Sequence, residues 1–464
     1  MTVAAIMPRS PWRGGLAWRV IQSVVWSLVI TGILILMAGK NPLVAYQHIV
    51  LGAFGSWDRV IVGLNKAAPY LLAGVGVALC FRGNVANMGS EGQIAMGGLA
   101  ASIVALIGGG ALGALVLPAA IVPSQRAAWS GTLAWRVILS VVCSLVITSI
   151  LILMAGKNPF VAYQHIVLGA FGNWDRVVVG LNKAAPYMMA GVGVALCFRG
   201  NVANMGAEGQ IAIGGLTAST VALIGATALG NAVLPAAMLA GVLGGAAWAA
   251  IAAAINLWRG VHEVLVTLMM NFIAWLIVAE FLHGPLGEMD AGFPQTPMFD
   301  NAAWLPKLVA RTDLHIGIVL AVLAAIAAHG VLWHTVIGFR WRLAGASDRA
   351  SHYAGVSRAR SVLGLMITSG VLSGIAGSIE VLGVHYRLIE GFSLGFGFNA
   401  IAIALLATLK PLWVIPAALF FAFLETGALS MQRQIGIPSS LVLVIQGLSL
   451  IFVLCAVGRG GRKV

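Results

Sequence analysis

Residues 201–215 read NVANMGAEGQIAIGG, so Asn201, Asn204, Glu208 and Gln210 stand among Gly200, Gly206 and Gly209 between two apolar runs. The chemistry on offer is binding: side-chain amides present donors and acceptors together, and a carboxylate presents acceptors or a charge. Glycines beside them suit a broken or re-entrant stretch whose freed backbone groups need partners. They equally suit a plain turn in which Glu208 opens the next helix, where the helix dipole favours an anion.

Three further stretches carry polar or planar groups. In VHEVLVTLMMNFIAW, Glu263, Thr267 and Asn271 fall four apart and form one polar stripe on an apolar helix, which serves as interhelical glue or, at Asn271, as lining for a path. In VHYRLIEGFSLGFGFNAIAIALL, Phe392, Phe396 and Phe398 alternate with Gly391, Gly395 and Gly397, and Asn399 follows. Phenylalanines at the end of a span pack at the interface, or, with glycines letting backbone approach, stack on a planar ligand at an inward-pointing helix start. In GFRWRLAGASDRASHYAGVSRARS, Ser347 suits an N-cap, Asp348 a first turn and Gly355 a C-terminal stop, so a helix of about two turns is expected. A helix that short needs a partner surface.

Chemistry of other kinds finds no support. Gly39-Lys40 and Gly156-Lys157 are each followed by Asn-Pro and lack the upstream glycine of a phosphate-cradling loop, and no HExxH, GxSxG or persuasive carboxylate pair occurs. The reading is therefore not an enzyme, with no cofactor or metal of its own. Cys80, Cys143, Cys197 and Cys455 lie in or beside apolar stretches without CxxC spacing and read as buried thiols.

The elements that must position these groups are membrane helices. At 60% apolar and 9% charged residues, the chain cannot make a soluble surface, and its apolar runs reach the roughly 20 residues a crossing takes. The runs are continuous, not alternating, which excludes an outer-membrane barrel and leaves an all-α polytopic bundle. The formal charge of +13 comes from Lys and Arg scattered at the ends of apolar runs, which is orientation and not a nucleic-acid surface. The basic start MTVAAIMPRSPWRGG precedes a full-length span and reads as a cytoplasmic tail, not a cleaved signal.

The chain also repeats itself. Residues from about Trp12 to Pro118 return from Trp129 to Pro235, and between Leu16 and Leu99 the copies differ at only ten places. Such near-identity points to tandem duplication, with 1–128 an extra, dispensable copy and 129–464 the working transmembrane domain. In the working part, spans are expected near Ala134–Ala155, Val177–Phe198, Gln210–Gly225, Val233–Leu257, Val264–Leu282, His315–Ile337, Val362–Leu382, Asn399–Leu409, Leu412–Leu429 and Leu441–Val457. These ten crossings place Arg199, Arg259, the basic stretch Arg340–Arg360, Lys410 and the C-terminal tail inside. The extra copy supplies about three more, near Ala17–Ala38, Val60–Phe81 and Gln93–Gly108, while its fourth run, ALGALVLPAAIV, is about half the length of a crossing.

In order, the runs NVANMGAEGQIAIGGLTAS, VHEVLVTLMMNFIA, GFRWRLAGASDRASHYAGVS, SGVLSGIAGSIEVLGV, GFGFNAIAIALL and GIPSSLVLVIQGL resemble the permease subunits of bacterial ABC importers for simple sugars and nucleosides, nearest to the nucleoside permeases. The likeness covers about Trp135 to Val457. It departs where Ala203-Asn204-Met205-Gly206 replaces the usual Phe-Asn-Ile-Gly and where His262 replaces Asn.

The resemblance implies a multi-pass protein of the bacterial inner membrane. It would pair with a second permease, with ATPase subunits that bind the ATP, and with a periplasmic or lipid-anchored solute-binding protein, among membrane lipid and with no nucleic acid. It further implies that Gly345, Ser347, Asp348, Tyr353, Ala354 and Gly355 belong to a loop that docks on the ATPase. Asn204, Glu208, Gln210, Asn271, Phe396, Phe398 and Asn399 would line or gate the path. A monosaccharide is the alternative cargo, and an ion-coupled secondary transporter the alternative of another class.

Overall fold

The computed structural model describes residues 16–37, 41–82 and 156–437, apart from 289–290, 310–311 and 394, with isolated residues at 93, 145–146, 148–149, 152–153 and 445. The expected spans near Gln93–Gly108 and Leu441–Val457, most of Ala134–Ala155, and the short fourth run of the first copy lie outside the described residues. The chain divides into two compact units, Trp12–Ala128 and Met1–Pro11 with Trp129–Val464.

In the smaller unit, α1 (Leu16–Met37), α2 (Pro42–Phe54) and α3 (Trp57–Arg82) follow one another. In the larger, α4 (Pro159–Phe171) repeats α2 down to its ends. Asn41 and Asn158 each accept the N–H two residues on at 2.9 Å, proline opens the helix, and Gly55 and Gly172 close it. Local sequence thus dictates the same helix twice, but packing differs. No residue of α2 is buried, whereas α4 buries Ala162, Ile166, Gly169 and Ala170. No span is expected here from the sequence, although Asn-Pro and a later glycine bracket the segment.

The larger unit continues with α5 (Trp174–Arg199), α6 (Ala207–Ile224), α7 (Val233–Arg259), α8 (Glu263–His283), α9 (Gly317–His334), α10 (Val336–Ala346), α11 (Asp348–Tyr353), α12 (Arg358–Glu380, prolonged by a wide turn to His385), α13 (Phe396–Leu406) and α14 (Pro411–Ile435). Among the described residues seven stretches are long and apolar enough to cross a membrane: α5, α6, α7 with the turn before it, α8, α9, α12 with its extension, and α14. They match seven expected spans in order, and the protein is a multi-pass membrane protein. One expectation needs correction. Asn399–Leu409 is not a full crossing: α13 has eleven residues, about 16 Å of rise, half a hydrocarbon core.

Contacts along the helices set their directions. Gly193 of α5 and Gly200 just past its end meet Ser369 and Leu365 of α12, so these two run antiparallel, as do α7 and α12, in which Gly241 meets Gly374 and Gly245 meets Gly370. One end of the bundle therefore gathers Arg199, Arg259, Arg358 and the α10–α11 loop. The other gathers the acidic loop 284–316. At the centre α6, α7 and α12 touch backbone to backbone: a Cβ on Gly374 would lie 2.2 Å from the Gly241 carbonyl oxygen.

His315 pins the acidic-loop end. It is fully buried, its Nδ1 accepts the Gly317 N–H at 3.2 Å, and burial pushes its pKa down to about 4. The folded state therefore binds fewer protons than the unfolded one between that value and the ordinary 6.5, so stability falls as pH drops through this window. Thermal scans of the detergent-solubilised protein from pH 7.5 to 4.5 are expected to show a falling melting temperature, with a shallower slope in His315→Leu. Parallel slopes would remove His315 as the cause.

Candidate functional site

Two helices of the larger unit start after an irregular stretch inside the bundle, α6 with eighteen residues and α13 with eleven. After α5 the chain turns at Gly200 and Asn201 (φ 55), then runs without helical bonds to Gly206, where α6 begins. Asn204 Nδ2 donates to Ser369 Oγ at 2.9 Å, and Ser369 is the midpoint of α12, so this irregular stretch lies inside the bundle. The second broken crossing mirrors the first from the other end. Residues 386–390 pair with the 294–299 loop, through Thr296 N–H to Leu388 O at 2.9 Å and Glu390 N–H to Pro294 O at 3.0 Å. Phe392 then lies over Gly215, and α13 starts deep in the bundle.

The two helix starts meet at Glu208. Its Oε1 accepts the Gly395 N–H at 3.2 Å, and its Oε2 accepts those of Gly397 at 2.7 Å and Phe398 at 3.3 Å. These are among the orphan donors that open any helix, and the N-cap residue, Gly395, has no side chain to satisfy them. A carboxylate in the first turn of α6 therefore caps α13 and neutralises the positive end of its dipole. The approach is close: a Cβ on Gly397 would lie 2.1 Å from the Glu208 nitrogen.

The start of α6 is held from α8 by the polar stripe. Asn271 Oδ1 accepts the Gly209 N–H at 2.8 Å while its Nδ2 donates to Met205 O at 2.9 Å, and Thr267 Oγ1 accepts the Met205 N–H at 3.2 Å. Asn204 Oδ1 accepts the Gly206 N–H at 2.9 Å and faces the Gln210 amide at 3.4 Å. Every freed backbone group named here finds a side chain, as a break away from water demands.

The sequence-derived residues thus fall into two groups. Asn204, Glu208, Gln210 and Asn271 come together and are buried, forming a latch between the broken crossings. On α13, Phe396 is buried against Tyr187 with ring centroids 4.9 Å apart, Asn399 is half-buried with its Nδ2 donating to the Tyr187 hydroxyl at 3.0 Å, and Phe398 is 37% exposed, edge-on to Trp275. A cleft of about 190 Å³ opens beside the latch, lined by Ala212, Trp275, Val278, Glu390, Phe392 and Ser393. Tyr187, Lys183 and Glu425, linked to Asn399, were missed in the sequence. The available signal was a lone charge inside each of two apolar helices.

At the arginine-rich end, α11 is a six-residue helix. The Ser347 side chain accepts the Ala350 N–H, Asp348 pairs with Arg358, and Gly355 (φ 68) ends the turn. Tyr353 is 82% exposed, and Asp348, Ala354 and Gly355 are exposed beside it. Gly345, at the end of α10, lies against the elbow that starts the first broken crossing: a Cβ there would sit 2.2 Å from the Arg199 carbonyl oxygen and 2.9 Å from the Gly200 Cα. The outward loop therefore touches, backbone to backbone, the elbow from which the stretch carrying Asn204 rises.

A family model described as the permease component of branched-chain amino acid transport systems matches residues 176–454. The chain is 31% identical over 327 residues to the glucose ABC transporter permease of Haloferax volcanii, an alignment covering 68% of this chain and 86% of that protein. It is 30% identical over 321 residues to the guanosine ABC transporter permease of Bacillus subtilis, covering 68% and 91%. With the nucleoside ABC transporter permease of Lactococcus lactis it shares 26% over 325 residues, covering 68% and 89%. No solved structure matches.

Proposed function

Since the chain belongs to the family of transport-system permease components, we propose that it forms half of the membrane path of an ATP-driven importer for nucleosides or kindred hydroxylated solutes. The arginine-rich end faces the cytoplasm of a bacterial inner membrane, in keeping with the positive-inside rule. ATPase subunits dock there, a second permease completes the path, and a solute-binding protein delivers cargo to the acidic-loop end.

The observation that carries this reading is α11, a capped helix of six residues with an exposed Tyr353, standing outside the spans. Helices so short are marginal alone, so the displayed surface calls for a partner. Movement imposed on it passes along α10 to Gly345, presses on the Arg199–Gly200 elbow, and reaches Asn204 and the latch. ATP-driven closure of the partner would thereby bias the bundle between packings open to one side or the other. A path beside Phe398, Trp275 and Asn399 offers planar apolar contact with amide donors and acceptors, which suits a nucleoside. A monosaccharide, the cargo in one relative's name, would use the amides alone.

The test removes the coupling helix. Deletion of Asp348–Tyr353, or Gly355→Pro, which forces a negative φ where the chain has 68°, is expected to lower ATP-dependent uptake of radiolabelled guanosine at least tenfold while membrane insertion persists. Uptake at the wild-type rate would sink the assignment.

A further inference from the structure

One cluster of titratable side chains lies outside the latch. Lys183 Nζ donates to Glu425 Oε1 at 2.7 Å, Tyr187 OH donates to Glu425 Oε2 at 2.6 Å, and Asn399 Nδ2 donates to the Tyr187 oxygen at 3.0 Å. Tyr187 stands midway along α5, and Glu425 just past the middle of α14. The group is therefore at the depth of the latch, where hydrocarbon would be its neighbour on an outward face. Yet the Lys183 and Glu425 side chains keep 24% and 33% of their surface exposed. A charge turned to lipid at that depth is costly, so this face meets a wet path or the second permease that encloses it. Asn399 ties it directly to α13, whose exposed Phe398 meets Trp275.

We propose that Glu425, Lys183 and Asn399, positioned by the buried Tyr187, recognise adjacent hydroxyl groups on the sugar ring of the passing solute. A carboxylate steadied by one ammonium and one phenol still has lone pairs for two neighbouring O–H donors. An ammonium has three donors, of which Glu425 takes one, and an amide nitrogen has two, of which Tyr187 takes one. Phe398 supplies the apolar surface on which a ring face or a base lies. The chemistry is common to nucleosides and monosaccharides, so it acts before any distinction between them. The inference rests on the cargo class proposed above and adds the residues that read it.

The test compares hydroxylated solutes with their deoxy forms. The complete transporter, copurified from membranes and reconstituted with its binding protein, would be given guanosine against 2′,3′-dideoxyguanosine and glucose against 2-deoxyglucose. The binding protein is the same in every arm, so its own preference cancels when variants are compared with wild type. For the transported pair, wild type is expected to favour the hydroxylated member at least tenfold. Glu425→Gln and Tyr187→Phe should each shrink that preference below threefold, with deoxy-solute uptake within twofold of wild type. An unchanged ratio, or an equal loss for both members as a tie between helices or a subunit contact would give, overturns the proposal. If wild type moves neither pair, the cargo reading falls and takes this one with it, a failure visible before any variant is made.

Discussion

Glu208→Ala is expected to abolish uptake and to destabilise the larger unit by about 3 kcal/mol or more, whereas Glu208→Gln should lose roughly half as much and keep measurable transport. The alanine variant strands the N–H groups of Gly395, Gly397 and Phe398 in a buried site, and each unsatisfied buried group costs about 1–3 kcal/mol. Relief from burying a carboxylate offsets part of this. Glutamine keeps one carbonyl oxygen, enough for the Gly397 and Phe398 donors, and turns an NH2 towards the third. Denaturant or thermal unfolding in detergent measures the first effect, and guanosine uptake in vesicles the second. If alanine and glutamine behaved alike, or if alanine transported normally, the capping role would be lost.

Gly345→Val is expected to separate ATP hydrolysis from transport. The added Cβ would lie 2.2 Å from the Arg199 carbonyl oxygen and 2.9 Å from the Gly200 carbon atoms. These are backbone atoms, which cannot rotate out of the way, so the end of α10 and the elbow must part. The outward helix α11 is untouched and still meets its partner. ATPase activity of the assembled complex should stay within about threefold of wild type while uptake falls at least tenfold, which on a rate scale is about 1.4 kcal/mol per factor of ten. Gly330→Ala is the control, since a Cβ there meets nothing within 4 Å. Loss of hydrolysis in step with uptake would place the defect in assembly and refute transmission through this contact.

What the sequence revealed was local. The seven long spans and the capped helix after Ser347 could be placed because hydrophobic run length and capping residues act within a few turns. Glu208, Asn271 and the phenylalanines could be singled out by type, since polar or planar groups in apolar surroundings are few. Their partners could not be read. Glu208 caps a helix start nearly 190 residues away, and Lys183 meets Glu425 at a separation of 242. Such pairings depend on which helices lie side by side, and no periodicity within either helix encodes that. The run at Asn399–Leu409 reads as a crossing by composition, while its length fits only half of one. Pairing it with the irregular stretch before it would have shown a single broken crossing.

The suspension of α13 has a consequence for how the molecule moves. It hangs between residues with left-handed backbones, Gly395 (φ 96) at one end and Thr408 and Leu409 (φ 51 and 57) at the other, the latter pair strained for side chains of their kind. The neighbouring α6, α7 and α12 are in main-chain contact, which opposes sliding of one along another. If access alternates as proposed, this short rod, with a left-handed backbone at each end and the Glu208 carboxylate at its head, is the element expected to swing.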